Sequence, residues 1–189
     1  LIENEQDLIT ATLNGSQKAF DQLMQNYQEH VYRIAFSFGK NQQNAMDITQ
    51  TTFLKAYENL ASYKGKSSFK AWLGRIAYNE GVNWHRKNKH YASSLETEDY
   101  DMLANSEILQ SDEILAKENK AELLKSLLAL NTRYRVAVVM RYFENMPIKE
   151  ISGILNCSEG MVKNMLHRSL QRLRIMLQQQ HMGGIHERM

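Results

Sequence analysis

The sequence predicts an all-α protein built as two small helical domains joined by an acidic connector. Three observations carry this reading. One proline and nine glycines in 189 residues leave little to interrupt a helix. Apolar residues recur at three- and four-residue steps along both halves of the chain. Charge then divides the halves: Asn59 to Leu95 holds seven Lys/Arg and one acid, Glu80, while Glu96 to Glu113 holds seven acids and no Lys or Arg. The acidic stretch also loses the helical period. We therefore divide the chain into a first helical domain at 1–92, a connector at 93–116, a second domain at 117–177 and a tail at 178–189. Cores shared between two domains of this size are thin, so local helix preference must contribute.

The first helix is expected through Ala19, Phe20, Leu23, Met24, Tyr27, Val31, Ile34, Ala35 and Phe38, with Gly39 as its stop. In the second, Asn44 is the expected cap, with Asp47 three residues on completing a capping box. That helix would turn Ile48, Phe53, Leu54, Tyr57 and Leu60 inward. Ser62–Ser68 (SYKGKSS) reads as a basic loop. Phe69, Trp72, Leu73, Ile76 and Ala77 then resume the period and lead into Trp84-His85-Arg86-Lys87. The connector holds at most a helical turn around Ile114 and Leu115. Helical signal returns at Leu123–Leu130 and Val136–Phe143, and the tail, with Gly183-Gly184, is expected to fray.

Several function classes are set aside by composition. A single cysteine, Cys157, precludes an intrachain disulfide and speaks against a zinc finger. No apolar run approaches the roughly 20 residues of a membrane span. Glu3, Glu5 and Asp7 make the first residues unlike a signal or transit peptide, so a cytoplasmic protein without membrane insertion is expected. The six histidines are scattered, and no nucleophile–base set or phosphate-binding Gly loop is present. We expect no catalytic residue, metal or cofactor.

The most specific local signal is PIKEISGILNCSEGMVKNMLHRSLQRLR, Pro147 to Arg174. Pro147 suits the start of a helix, Ile148, Ile151 and Leu155 form one stripe, and Asn156 can take the left-handed conformation that ends it. Ser158 can cap the next helix, with Glu159 favoured in its first turn. Val162, Leu166, Leu170 and Leu173 would face inward there, leaving Lys163, Asn164, His167, Arg168 and Gln171 outside, with Arg172 beside them. From Gly160 to His186 there are four Lys/Arg and no acid. This is the helix-turn-helix pattern, whose second helix enters the major groove. Lys and Arg there neutralise phosphates, while Asn, Gln and Arg can read base edges. A plain helical hairpin with a solvated face would show the same pattern, and many repressors share the motif.

The upstream block separates these readings. Asp47, Gln50, Phe53, Leu54, Ala56, Tyr57, Phe69, Trp72, Leu73, Arg75, Ile76, Ala77, Asn79 and Arg86 fall in register with D-L-x-Q-E-x-F-L-x-A-[YW], a loop, then F-x-x-W-L-x-[RG]-I-A-x-N-x-x-x-[DN]-x-x-R. This resembles region two of extracytoplasmic-function sigma factors. Leu130, Arg135, Tyr142, Ile148, Glu150-Ile151, Leu155, Gly160, Val162-Lys163, His167-Arg168 and Leu173 resemble region four. The resemblance runs in the family's order over about residues 14–175, with its usual acidic linker.

It implies a sigma region 2 bundle and a sigma region 4 helix-turn-helix that together bind core RNA polymerase and a two-element promoter, as duplex and as single strand. For the polymerase it implies Asp47, Gln50, Phe53 and Lys55. For the melted strand it implies the loop Tyr63, Lys64 and Lys66 with Arg75, Asn79, Arg86 and Lys87, where Tyr63 or Trp84 could stack a base for roughly 1–3 kcal/mol. For the upstream element it implies Lys163, Asn164, His167, Arg168, Gln171 and Arg172. An anti-sigma factor is the further partner implied. The chain departs from the pattern at Met46 and Thr51, where acids are usual, and at Met165, where a lost phosphate contact is expected. A repressor without polymerase and a sigma-like interaction protein are the competing readings.

Overall fold

A computed structural model describes residues 4–88 and 117–186, and all of their regular structure is helical. The acidic connector and the turn expected at Ile114 and Leu115 lie outside the described residues. The first element, α1 (Glu5–Leu13), was not expected from the pattern. Asn4 caps it by accepting from the Asp7 N–H at 2.9 Å, and it buries Leu8, Ile9 and Thr12. Nine residues with three inward positions give too short a run for periodicity to stand out.

Ser16 caps α2 (Gln17–Gly39), whose buried side carries Ala19, Leu23, Val31, Ile34, Ala35 and Phe38 as expected. Gly39 is the last helical residue, but the left-handed position is Lys40, at φ 62°. What needs glycine at 39 is crowding: a Cβ there would lie 2.7 Å from the Asn44 Cβ and 2.8 Å from the Ala45 nitrogen.

The cap of α3 (Gln42–Asn59) is Asn41, not Asn44. The Asn41 side chain accepts from the Asn44 N–H at 2.9 Å, and the Asn44 amide donates to the Gly39 carbonyl at 3.2 Å. Asp47 is therefore exposed in mid-helix rather than part of a capping box. The inward face is also different. Ala45, Ile48, Thr49, Thr52 and Ala56 fill the seam, with Leu60 buried in the 3₁₀ turn Leu60–Ser62. Leu54 and Tyr57, expected inside, are 66% and 52% exposed. Small residues win because they let helices pack closely, and both threonine hydroxyls are satisfied by carbonyls four residues back, Thr49 and Thr52 each at 2.7 Å. Ser68 caps α4 (Phe69–Lys87). Its Gly81 sits against the Phe38 ring, which a Cβ there would overlap.

The second domain comprises α5 (Lys117–Ala129), α6 (Thr132–Val138), a π-helical segment Val139–Phe143, α7 (Ile148–Leu155) and α8 (Glu159–His186). Pro147 is the N-cap of α7, and Asn156 ends it in the left-handed conformation, φ 49° and ψ 58°. Ser158 starts α8 by accepting from the Met161 N–H at 3.2 Å. The buried side of α8 is Val162, Met165, Leu166, Ser169 and Leu173. Met165 is thus a core residue and not a missing phosphate contact, whereas Leu170, expected inside, is exposed. The helix continues to His186 where composition pointed to a frayed tail.

Two buried charged groups join the domains. Arg135, 2% exposed, donates to the carbonyls of Leu128 and Leu130 near the end of α5 and to the carbonyl of Ser37 in α2 at 2.9 Å. Burial lowers its pKa to about 10, which still leaves it cationic at neutral pH. Glu144, 6% exposed, lies between the π segment and α7. Its carboxylate meets His30 Nδ1 at 2.7 Å, Arg33 at 2.9 Å and Lys70 Nζ at 2.9 Å. Lys70 also donates to the Glu144 carbonyl at 2.8 Å, and Arg33 to the Phe143 carbonyl at 3.1 Å. Burial alone would raise this carboxyl, but the hydrogen bonds and charges of His30 and Lys70 outweigh it and hold Glu144 at about 2.

Two predictions follow from the packing. Gly81→Ala should destabilise the first domain by about 1–3 kcal/mol, the usual range for overpacking, read as a lower thermal midpoint; an unchanged midpoint would mean that Phe38 moves aside freely. Glu144 is depressed from 4.5 to about 2, so its contribution to stability is fully present above pH 4.5 and lost as pH falls towards 2. Acid titration of thermal stability should therefore fall less steeply across that window in Glu144→Gln than in the parent.

Candidate nucleic-acid interface

The residues proposed for the upstream element all fall on one exposed side of α8. Lys163, Asn164, His167, Arg168, Gln171 and Arg172 occupy steps of one and four along the helix and are exposed, while the core stripe lies opposite. The three-residue turn Asn156–Ser158 sets this helix after α7, with Arg133 donating to the Leu155 carbonyl at 2.8 Å to hold the end of α7. A donor-rich face on a helix fixed by its neighbours can hold phosphates and present bidentate groups to base edges. Met161 belongs to the same side, 51% exposed in the first turn. The sequence reading passed over it as a hydrophobic residue between polar ones; its i, i+3 and i+7 relation to Asn164 and Arg168 was the available signal.

The strand-binding set is divided by its surroundings. Asn79, Arg86 and Lys87 are exposed along α4, and Lys64 and Lys66 are exposed in the loop before it. Arg75 is engaged, donating to the Gly153 carbonyl of α7. Tyr63 is half-buried, with its ring 5.4 Å from Phe69 and 5.5 Å from Trp72 and its hydroxyl donating to the Ser67 carbonyl at 2.9 Å. Burial, then Glu5 and Glu150, raise its pKa, so the phenol stays protonated. Trp72 and Trp84 are half-buried against the core. Tyr63 and Trp84 are thus partly packed against the core, each with part of its surface left to solvent.

The polymerase set is divided as well. Gln50 and Phe53 line an open groove of about 830 Å³ between α2 and α3, together with Phe20, Met24, Tyr32, Met46, Leu54 and Tyr57. Phe20 and Tyr57 pack edge to face across it, with ring centroids 4.8 Å apart. Asp47 is exposed on α3, one turn before Gln50. Lys55 instead pairs with the buried Glu80 of α4 at 2.6 Å, inside the domain. Leu54 and Tyr57 are groove residues that sequence reasoning missed, since their apolar character placed them in the core, and Met46, marked only as a departure from the family's acids, lines the groove with them. Among the described residues no cluster of metal-ligating side chains occurs and no helix is long and apolar enough to cross a membrane.

Comparison with known proteins identifies both domains. Residues 23–91 match the family model for sigma-70 region 2, and residues 120–173 match that for sigma-70, region 4. The chain is 31% identical over 167 residues to the ECF RNA polymerase sigma factor SigW of Bacillus subtilis (strain 168), covering 85% of this chain and 89% of the relative. It is 29% identical over 174 residues to the RNA polymerase sigma-H factor of Pseudomonas aeruginosa, covering 88% and 90%. In fold it is similar to the sigma factor RpoE from Bartonella quintana, solved in complex with the anti-sigma factor NepR, at a TM-score of 0.67 and 23% identity over 85% of this chain and 98% of that one. It is likewise similar to CnrH, solved in complex with the cytosolic domain of CnrY, at 0.66 and 23% over 90% and 95%. With both regions in order and nearly the whole of its relatives' length matched, the chain belongs to the ECF family of RNA polymerase sigma factors.

Proposed function

We propose that this sigma factor divides promoter recognition between two cationic surfaces and docks on polymerase through a third, apolar one. As a sigma factor it recognises promoters for RNA polymerase and is not itself an enzyme. The second domain (117–177) reads the upstream element as duplex, with Asn164 and Arg168 on base edges and Lys163, His167, Gln171 and Arg172 on the backbone. Met161 adds an apolar contact suited to a thymine methyl. The first domain (1–92) holds the melted strand along Lys64, Lys66, Arg75, Asn79, Arg86 and Lys87. Opening a duplex costs about 1.4 kcal/mol per base step in lost stacking, and extruding one base costs a few kcal/mol that a pocket must return. The groove between α2 and α3, edged by Asp47 and Gln50, takes the polymerase. The observation that carries the reading is the exposed stripe on α8, six donor-bearing side chains opposite a closed core.

The protein acts in the cytoplasm, where its relatives' polymerase works. An anti-sigma factor is proposed as a further partner, on the strength of the Bartonella quintana complex. The direct test is run-off transcription by purified bacterial core polymerase with and without the chain; transcription that never depends on the chain would remove the reading.

Arg168→Ala should cost about 1–3 kcal/mol of duplex affinity and relax sequence preference, whereas Lys163→Ala should weaken all sequences alike and lower the salt slope by about one. Equal losses on promoter and random DNA for both variants would reassign Arg168 to the backbone. Leu54→Asp places a charge in the groove at a position that is 66% exposed, so the fold should survive it. Its binding to core polymerase should weaken by ~2 kcal/mol, the scale of a lost interface anchor, with Asp47→Asn losing less; a Leu54→Asp protein that binds core as the parent does would move the docking face elsewhere.

A further inference from the structure

We propose that the packed arrangement of the two domains is a self-masked state, latched by Glu144, in which α7 covers part of the strand-binding face of α4. This rests on the reading of α4 given above and adds how access to it is controlled. The cover is direct. The Arg75 guanidinium donates to the Gly153 carbonyl, and the Ser68 N–H lies 3.4 Å from the Glu150 carboxylate. Gly74 is the close-approach point: a Cβ there would meet Ile154 of α7 at 3.4 Å, Ile34 of α2 at 3.4 Å and His30 Nε2 at 3.1 Å. The Gly153 carbonyl takes one of the five N–H donors of the Arg75 guanidinium, so a phosphate there competes with α7 for that group.

The latch lies beside this cover. His30, Arg33 and Lys70 all belong to the first domain, and the carboxylate they share belongs to the second. His30 Nδ1 faces the Glu144 carboxylate at 2.7 Å and Nε2 faces the Lys70 carbonyl at 3.1 Å. Around the ring the remaining charged and titratable groups are Arg33, Glu29 and Tyr27 from α2 and Lys70 from α4. One anion thus occupies His30 and the two cations, Arg33 and Lys70. When the domains part, water replaces the partners of Glu144, while Lys70 and Arg33 join Arg75 as a larger cationic surface. Opening therefore uncovers the strand site and strengthens it for phosphate together.

The test uses the whole chain, as the parent, Glu144→Ala and Gly74→Leu. The first removes the latch; the second changes no charge and removes no latch side chain, and it crowds Ile154 of α7 together with His30 and Ile34 of the first domain. Small-angle scattering reads the radius of gyration, fluorescence anisotropy reads affinity for a mixed-sequence single-stranded oligonucleotide, and circular dichroism verifies helix content. A closed form that leaves about a tenth of the molecules open lowers apparent affinity about tenfold, so both variants should expand and bind up to about tenfold more tightly at low salt. Variants that stay as compact as the parent overturn the latch. Expansion without tighter binding overturns the masking. Tighter binding by Glu144→Ala alone, without expansion, reduces the effect to one lost negative charge and overturns both. If the variants expand and bind more tightly but none supports run-off transcription, the closure stands and the sigma-factor assignment of α4 is what fails.

Discussion

Removing a carboxylate from water costs several kcal/mol unless charge and hydrogen bonds replace the solvent. Glu144 has both: its two oxygens are met by His30, Arg33 and Lys70, and its own carbonyl and that of Phe143 are satisfied by two of the same groups. These donors come from α2 and α4, so satisfying Glu144 fixes where the second domain lies on the first. An apolar contact tolerates sliding; a buried carboxylate with three directional partners does not. The approach of Ile154 to Gly74 and of Arg75 to Gly153 depends on that register.

Arg135 does comparable work from the other side. The end of α5 presents carbonyls that its own helix cannot satisfy, and one guanidinium collects those of Leu128 and Leu130 while reaching Ser37 in α2. It therefore ends one helix, orients the next through Thr132, and touches the first domain. Both junctions are polar, which suits domains that associate and separate better than a continuous apolar seam would.

Much of the architecture was legible in the sequence because it depends on local chemistry. The stop at Asn156, the cap at Ser158 and the buried stripe of α2 need only residue type and spacing. What could not be read depends on partners distant in the chain. Asn41 and Asn44 are equally good caps, and the choice between them follows from Gly39 packing on Asn44 and Ala45. Leu54, Tyr57 and Leu170 are apolar and periodic yet exposed, because Thr49, Thr52 and Ser169 could enter the core by bonding to carbonyls of their own helix. Met165 was misread in the opposite direction, as a surface residue. Of the candidate site, the six polar residues of the α8 face were legible and Met161 beside them was not, whereas the engagement of Lys55 with Glu80 and of Arg75 with α7 was invisible, since each pairs residues of different helices.

The three surfaces are unequally available in this arrangement, and α2 shows why. One stretch of that helix carries Tyr32 on the groove and His30 and Arg33 on the latch. Among the described residues nothing fills the groove, with Leu54 and Tyr57 at its edge exposed, while Arg75 is occupied. Under the proposed assignment of the surfaces, a polymerase meets an open groove on the closed chain, whereas a melted strand meets a surface already partly taken. Docking alone does not open the latch: a ligand shifts an equilibrium only by the difference in its affinity for the two states. A partner that held α8 or α7 away from α4 while gripping the groove would supply that difference. The strand-binding face would then become available only on the complex that can use it, and a sigma factor with two cationic domains would be spared unproductive capture by DNA elsewhere.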